Sequence, residues 1–534
     1  MKCRFLVSVN TSGRRGWVCR ISGWILLLMI LWIVLPIPLS AQVDTAWVRR
    51  YNGSGNEGDF AHDIAVDDSG YVYVTGGSGG PGTSYDYGTI KYDLNGDTIW
   101  VRRYNGPQNG SDEGDVIAVD NSGNVYVTGY SEGAGSGNCA TIKYYANGDT
   151  AWVRRYDGPE IYGNEAFSIA VDDSGNVYVA CESQGYGTSS DYATVKYYPN
   201  GDTAWVRRYD GNAHGSDIVR ALAIDSLGNV YVTGESEELS GSTDCVTIKY
   251  NSNGDKAWVA RYNGPGNEGD HGYAIAVDNL CNVYIAGGSQ GFGTSLDCAT
   301  IKYDQNGDTI WVARYNGLAE GWDYLTAIAI DNSGNVYVTG ESQGLNGSAD
   351  YVIIKYFTNG DTAWVRRYNG SGNGYDRAYD IAVDSAGSVY VTGGSTGFGT
   401  SLDYVTVKYD SIGNPVWCMR YNAPESSWDD ARALALDDLG NVYVTGHAAG
   451  LGPYADFVTI KYIQTIGIEE DGGYGVMQNS VFTTILSGPL LLPLNRECKV
   501  FDITGRVVEP SKIPLGIYFI EIDGVVTHKV VKVR

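Results

Sequence analysis

From Thr45 to Tyr462 the chain falls into short runs in which apolar and polar side chains alternate, as in Tyr71-Val72-Tyr73-Val74-Thr75-Gly76 and Thr98-Ile99-Trp100-Val101-Arg102-Arg103-Tyr104. A period of two, filled with Val, Ile, Tyr and Thr and bounded by Gly, Asn and Asp, predicts β-strands joined by turns. The runs come in fours, and the fours repeat. Trp47, Trp100, Trp152, Trp205, Trp258, Trp311, Trp364 and Trp417 follow one another at 53 residues, with one interval of 52. Each unit reads W-V-R-R-Y, a Gly-rich stretch, I-A-V-D-x-x-G-N-V-Y-V-T-G, a second Gly-rich stretch, then T-I-K-Y-x-x-N-G. A fixed period of this length marks a solenoid or a propeller.

In the first unit the predicted strands are A (Ile64 to Asp67), B (Tyr71 to Gly76), C (Gly88 to Tyr92) and D (Thr98 to Tyr104). Between A and B lies Asp67-Asp68-Ser69-Gly70, and between C and D lies Asp93-Leu94-Asn95-Gly96. D-x-x-G favours a type I turn followed by a left-handed Gly, a tight hairpin closure. It recurs at Asp120, Asp172, Asp225, Asp331, Asp384 and Asp437. Antiparallel four-stranded units have open edges and two apolar faces, which radial packing buries. The expected fold is therefore all-β, an eight-bladed β-propeller of four-stranded antiparallel blades. Strand A is expected nearest the axis, where space is least, because a small residue recurs there: Ala65, Ala118, Ala170, Ala223, Ala276, Ala329, Ala382, Ala435. The first Trp strand, Thr45 to Tyr51, precedes any A strand, and the last unit stops at its C strand, Phe457 to Tyr462. The N-terminal strand is thus predicted to complete the eighth blade.

The ends differ from the repeats. Residues 1–41 carry Lys2, Arg4, Arg14, Arg15 and Arg20, no acid, an apolar run from Trp24 to Ile37, and Pro38-Leu39-Ser40-Ala41. That is the pattern of a secretory signal peptide cleaved after Ala41, and the apolar run is shorter than a bilayer span. The propeller is assigned to residues 42–464, a linker to 465–479 and a C-terminal β-sandwich to 480–534. Formal charge is −25, so loss of the five leader cations leaves about −30, a surface that repels nucleic acid and anionic membrane.

The nine cysteines lose the look of a disulfide framework once placed on the repeat. Cys139, Cys245 and Cys298 occupy the C-strand position held elsewhere by Tyr87, Tyr192, Tyr351, Tyr404 and Phe457, as apolar fillers. No Cys/His spacing suggests zinc, and neither a metal nor a cofactor is predicted.

The unit D-x-A-x-x-I-A-V-D-x-x-G-N-V-Y-V-T-G, followed by D-Y-x-T-I-K-Y-x-x-N-G-D-T-x-W, resembles the SBBP-type bacterial β-propeller repeat. The resemblance implies the fold and a secreted or surface location, and no single activity. After the linker, Val500 to Arg506, Leu515 to Ile520 and Lys529 to Arg534 resemble the C-terminal sorting domain of type IX secretion cargo. That resemblance implies a small β-sandwich, the type IX machinery as partner, and the outer surface of a Gram-negative-type bacterium. A small capping or adhesion sandwich is the other reading of those blocks.

The AB and CD turns share one rim, while the long DA and BC connections emerge on the other, where any ligand is expected. Two Asp series lie there. The first is Asp59, Asp112, Asp217, Asp270, Asp323, Asp376 and Asp429, with Asn164 in unit three. It reads either as a carboxylate ring for a cation or for acid–base work, or as loop carboxylates bonding their own backbone. The second series opens strand C, and a CD turn closing Asp93 on Gly96 would set Asp86 opposite Arg103 and Asp191 opposite Arg208, a cross-strand charge pair in each blade.

A ligand site should lie where the copies differ. The residue before the first-series Asp is small in units one to five but aromatic in the next three, giving Trp322-Asp323, Tyr375-Asp376 and Trp428-Asp429 as candidate ligand-binding pairs for a sugar ring or a peptide. Aromatic gap filling between loops is the plain alternative. His62, His214, His271 and His447 occupy unlike unit positions and read as incidental. No H-E-x-x-H and no phosphate loop is present, and G-x-S-x-G, which recurs at Ser78, Ser131, Ser289, Ser342 and Ser395 as part of the repeat, has no evident helix after it. The functional expectation is a non-catalytic binding or scaffold module for a protein or glycan; the rival is an extracellular polysaccharide hydrolase or lyase using the loop aspartates.

Overall fold

The computed structural model describes residues 39–468, except 56, 83, 134–136, 160–162, 294, 424–427 and 451–453, together with further strand and turn residues between 482 and 532. The leader apart from its last residues, most of the linker and the Ile503-Thr504-Gly505 and Leu515 parts of the sorting motif lie outside the described residues. Among those described, no helix is long and apolar enough to cross a membrane.

Residues 42–464 form one compact unit of eight four-stranded sheets. In blade 1 the antiparallel order is A (Asp59–Val66), B (Val72–Gly79), C (Tyr85–Tyr92), D (Thr98–Tyr104). The A strands of blades 2 to 8 are Asp112–Val119, Glu165–Val171, Asp217–Ile224, Asp270–Val277, Asp323–Ile330, Asp376–Val383 and Asp430–Leu436. Each packs against the A strands on both sides, and the last packs against the first, so strand A is innermost and the ring closes. Blade 8 consists of Asp430–Leu436, Val442–Ala449, Ala455–Ile468 and, as its fourth strand, Leu39–Tyr51. The N-terminal strand joins first blade to last, as its Trp and the missing final D strand predict.

Strand A starts earlier than its hydrophobic pattern implies. It runs from Asp59 rather than Ile64, because a bulge between Ala61 and Asp63 interrupts the alternation and hides the first half from a period-two reading. The same register shift recurs in blades 2 to 8. Strand B answers it with Gly76, where an added Cβ would run into the Phe60 carbonyl oxygen.

The periodic tryptophans bolt blade to blade. Trp100 sits between Tyr73 of its own blade and Tyr144 of the next, at 6.3 and 6.1 Å between ring centroids, and donates its indole N–H to Ala146 O in the next CD turn at 3.2 Å. Trp47 does the same across the ring closure with Tyr443, Tyr92 and Leu94 O. The CD-turn Gly is required twice over. Gly96 has φ +79°, and its missing Cβ leaves room for the Trp47 ring. Trp417 has no following CD turn to reach, and the Gln464 side-chain oxygen accepts its N–H at 3.3 Å instead.

In the C-terminal region the described residues form one five-stranded sheet, in which Phe482–Leu486 pairs in parallel with Val525–Lys532 and the remaining pairings are antiparallel. The rest of the expected sandwich falls on residues outside those described.

Candidate binding site at the channel mouth

The first-series aspartates are buried pins. Asp323, Asp376 and Asp429 are 0% exposed. Asp323 accepts the Gly317 and Gln343 amides at 2.6 and 3.0 Å, Asp376 those of Gly370 and Thr396 at 2.7 and 3.1 Å, and Asp429 those of Ala423 and Ala449 at 2.6 and 2.9 Å. Asp59 repeats the pattern with Gly53 N and Ser78 Oγ. Each carboxylate ties the DA loop to the end of strand B. Burial raises the pKa of all four, and the hydrogen bonds oppose it. The backbone-bonding reading describes this series, and no open carboxylate ring is formed by it.

The second series does pair with arginine, but diagonally. Arg103 lies 2.9 Å from Asp86 and Arg208 lies 2.6 Å from Asp191. Arg103 stands opposite Gly88 and Arg208 opposite Ala193, two residues from the predicted register. The turn closes Asp93 on Asp97 and not on Gly96, which shifts the register by one residue, and a bulge at Lys91/Tyr92, with its equivalent at Lys196/Tyr197, shifts it by one more. Arg50 and Asp456 make the same pair at 3.2 Å across the closure.

Trp322 stacks on Tyr324 at 5.9 Å and 26° and lies 6.5 Å from Tyr375. Trp428 is 52% exposed and stands edge-on to His447, which in turn meets Phe60 at 5.1 Å. Two clusters result, and residues that the sequence left unmarked connect them. Arg377 reaches over Tyr375 and Tyr379, Arg432 over Tyr379 at 4.5 Å, and the Tyr379 hydroxyl donates to Asp430 at 3.1 Å. Tyr324 and Tyr375 donate their hydroxyls to the two oxygens of Glu341, at 2.8 Å each, and Arg377 pairs with the same carboxylate.

Apart from the three rings that precede the first-series Asp, and Glu341 and His447 from strand B, these side chains come from two positions in every unit, one and three residues after that Asp. Alternation puts both on the half-buried face of strand A, and the second is the residue the bulge leaves out of the register. At those two positions all are half-buried save the buried Asp430, between buried neighbours of the blade core, while Glu341 and His447 are buried. In chain order the bulge position holds His62, Asp115, Phe167, Arg220, Tyr273, Thr326, Tyr379 and Arg432. The position one residue after the first-series Asp, with Phe60, Glu113, Glu165, Ile218, His271, Tyr324, Arg377 and Asp430, varies as much, and that disagreement among copies is the signal that could have marked the site. His62, His271 and His447 belong to this belt, so three of the four histidines read as incidental share one place. His214 does not; it pairs with Asp210 in an exposed loop.

Charge divides the belt. Through blades 4 to 8 each acid has a cation: Arg220 and His271 flank Glu235, Arg377 meets Glu341, and Arg432 meets Asp430 at 3.1 Å. Blades 2 and 3 present Glu113, Asp115, Glu165 and Glu182, and burial first, then repulsion from neighbouring carboxylates, raises the proton affinity of Asp115 and Glu165.

The family model described as SBBP, beta-propeller repeat, matches residues 46–82, 99–135, 205–238 and 310–347, so the chain carries β-propeller repeats of that kind. None of the curated proteins compared with it matches. Among solved structures, Sqt1 from Chaetomium thermophilum bound to the N-terminus of ribosomal protein L10 aligns at TM-score 0.50 and 10% identity, over 78% of this chain and 99% of that one. The polysaccharide lyase Uly1 aligns at TM-score 0.39 and 12% identity, over 65% and 89%. At such identity the first likeness is one of fold, and the second carries no argument.

Proposed function

We propose that this chain is a binding propeller without turnover, and that its ligand, a glycan or an extended peptide, lies across the aromatic arc that Trp322, Tyr375 and Trp428 begin and Phe60, Tyr324 and Tyr379 complete. The observation that supports it is localisation of difference: eight closely matched blades diverge at the channel mouth, and blades 6 to 1 put half-buried and exposed rings there, interleaved with Arg377 and Arg432. Flat rings with cations between them suit stacking against a sugar face or gripping a peptide side chain. The hydrolase or lyase reading asked the first-series aspartates to face substrate; they are buried and bonded to their own loops. The same proposal has the chain exported past the outer membrane, with the C-terminal blocks engaging type IX machinery; the sequence motifs support that part.

Glycan and peptide arrays probed with the full chain, followed by a turnover assay on every hit, test the reading. Binding that Trp322→Ala and Trp428→Ala each weaken about tenfold or more, roughly the loss of one stacked ring, with no product formed, is the expected result. Hits indifferent to both substitutions would refute the site, and product formation would refute the non-catalytic assignment.

A further inference from the structure

At the junction of blades 1 and 2, His62 from one A-strand bulge meets Glu113 and Asp115 from the next A strand. One ligand atom from each lies within 4.8 Å of the others. The ring nitrogens look at different carboxylates, Nε2 at Glu113 Oε2 across 4.0 Å and Nδ1 at Asp115 Oδ1 across 3.9 Å. Both separations are too long for hydrogen bonds. A single ion can take only one of the two ring nitrogens, and either separation fits a nitrogen and a carboxylate oxygen held on one ion, since metal–ligand bonds of about 2.0–2.2 Å put two ligand atoms about 3–4 Å apart. His62 Nε2 is shielded from solvent and has no hydrogen-bond partner among the described residues.

The charge on this side of the belt is unbalanced. Glu113, Asp115, Glu165 and Glu182 cluster without a Lys or Arg ion pair among the described residues, whereas Glu235, Glu341 and Asp430 each have one. One imidazole beside two carboxylates is a ligand set.

We propose that His62, Glu113 and Asp115 bind one divalent transition-metal ion at the channel mouth. One nitrogen and two oxygens favour Zn²⁺ or Mn²⁺ over Ca²⁺, which takes oxygen ligands in larger number. Three protein ligands leave positions open toward the central opening. The acidic triad Asp191, Asp210 and Asp217 is no rival, because Asp191 already pairs with Arg208 and Asp217 pins a loop.

Titration of the chelator-treated full chain with Zn²⁺, Mn²⁺ and Ca²⁺ by calorimetry tests this. The expected result is one Zn²⁺ per chain, with affinity lowered about tenfold to a hundredfold in His62→Gln and in Glu113→Gln, and Ca²⁺ binding much weaker. Pulsed EPR of the Mn²⁺-loaded parent chain, which needs no variant to fold, should show nitrogen coupling from one imidazole. Absent Zn²⁺ binding, unchanged affinity in both variants, Ca²⁺ binding as tight as Zn²⁺, or Mn²⁺ without nitrogen coupling would each overturn the proposal. None of these touches Trp322 or Trp428, so the metal site and the aromatic arc fail independently.

Discussion

Trp47→Ala probes whether the ring is closed by a strand as firmly held as any other. Trp47 is 7% exposed and belongs to a core cluster drawn from blades 8 and 1, including Tyr92, Tyr443 and Phe457. Its counterpart inside the ring is Trp205, 9% exposed, between Tyr178 and Tyr250, with its N–H on Ser252 O at 3.3 Å. Truncating a buried Trp to Ala costs about 3–5 kcal/mol, and the carbonyl left without its indole N–H adds to that end of the range. The surroundings match ring for ring, so Trp47→Ala and Trp205→Ala should differ by less than about 1 kcal/mol. Urea unfolding followed by tryptophan fluorescence and far-UV circular dichroism measures both. A Trp205→Ala loss of about 3 kcal/mol or more beside a Trp47→Ala loss under about 1 kcal/mol would refute the closure. Deleting residues 42–52 is the harsher form: it also removes Arg50 from Asp456 and bares the edge of Ala455–Ile468, so the whole ring should melt earlier.

Asp323→Asn should destabilise by about 2 kcal/mol, because an amide has one acceptor for the two backbone N–H groups now bonded, and should leave ligand binding intact below the melting point; lost binding with an unchanged melt would contradict the loop-pin role. Asp380 accepts the Ile381 amide and, across the blade junction, that of Leu434, and burial pushes it up to about 6. A raised carboxyl favours the folded state while protonated, so its contribution is full below about pH 4 and is lost as pH rises through about 6, by roughly 2–3 kcal/mol at most. Ser168 holds the equivalent Leu222 amide at 3.1 Å without a charge, so Asp380→Ser should flatten the stability difference between pH 4 and 7 and gain on the parent at the upper end; a parallel pH profile would exclude the effect. Thiol labelling read by peptide mass spectrometry should modify Cys281 and Cys418 in the native protein and Cys139, Cys181, Cys245 and Cys298 only on unfolding; fast native labelling of the last four would show that those core positions are open.

Much of this molecule is written locally. Alternation of Val, Tyr and Thr specifies strands, D-x-x-G specifies the turns, the Trp period counts the blades, and the orphan Trp47 strand announces how they close. These are short-range or strictly repeated instructions, so the sequence by itself carries them. It also showed that blades 6 to 8 break rank at Trp322, Tyr375 and Trp428, though it paired those rings with aspartates that turn out to be pins. Tertiary structure decided the rest. The bulges at Ala61/Asp63 and Lys91/Tyr92 reset which side chains face each other, and no hydrophobic period records an extra residue. Ring geometry then brings His62 to Glu113 and Asp115, and Arg377 to Glu341, each across a junction between neighbouring blades. Within one unit each of these residues is a variable position with no visible partner; its chemistry exists only once the next blade is packed against it.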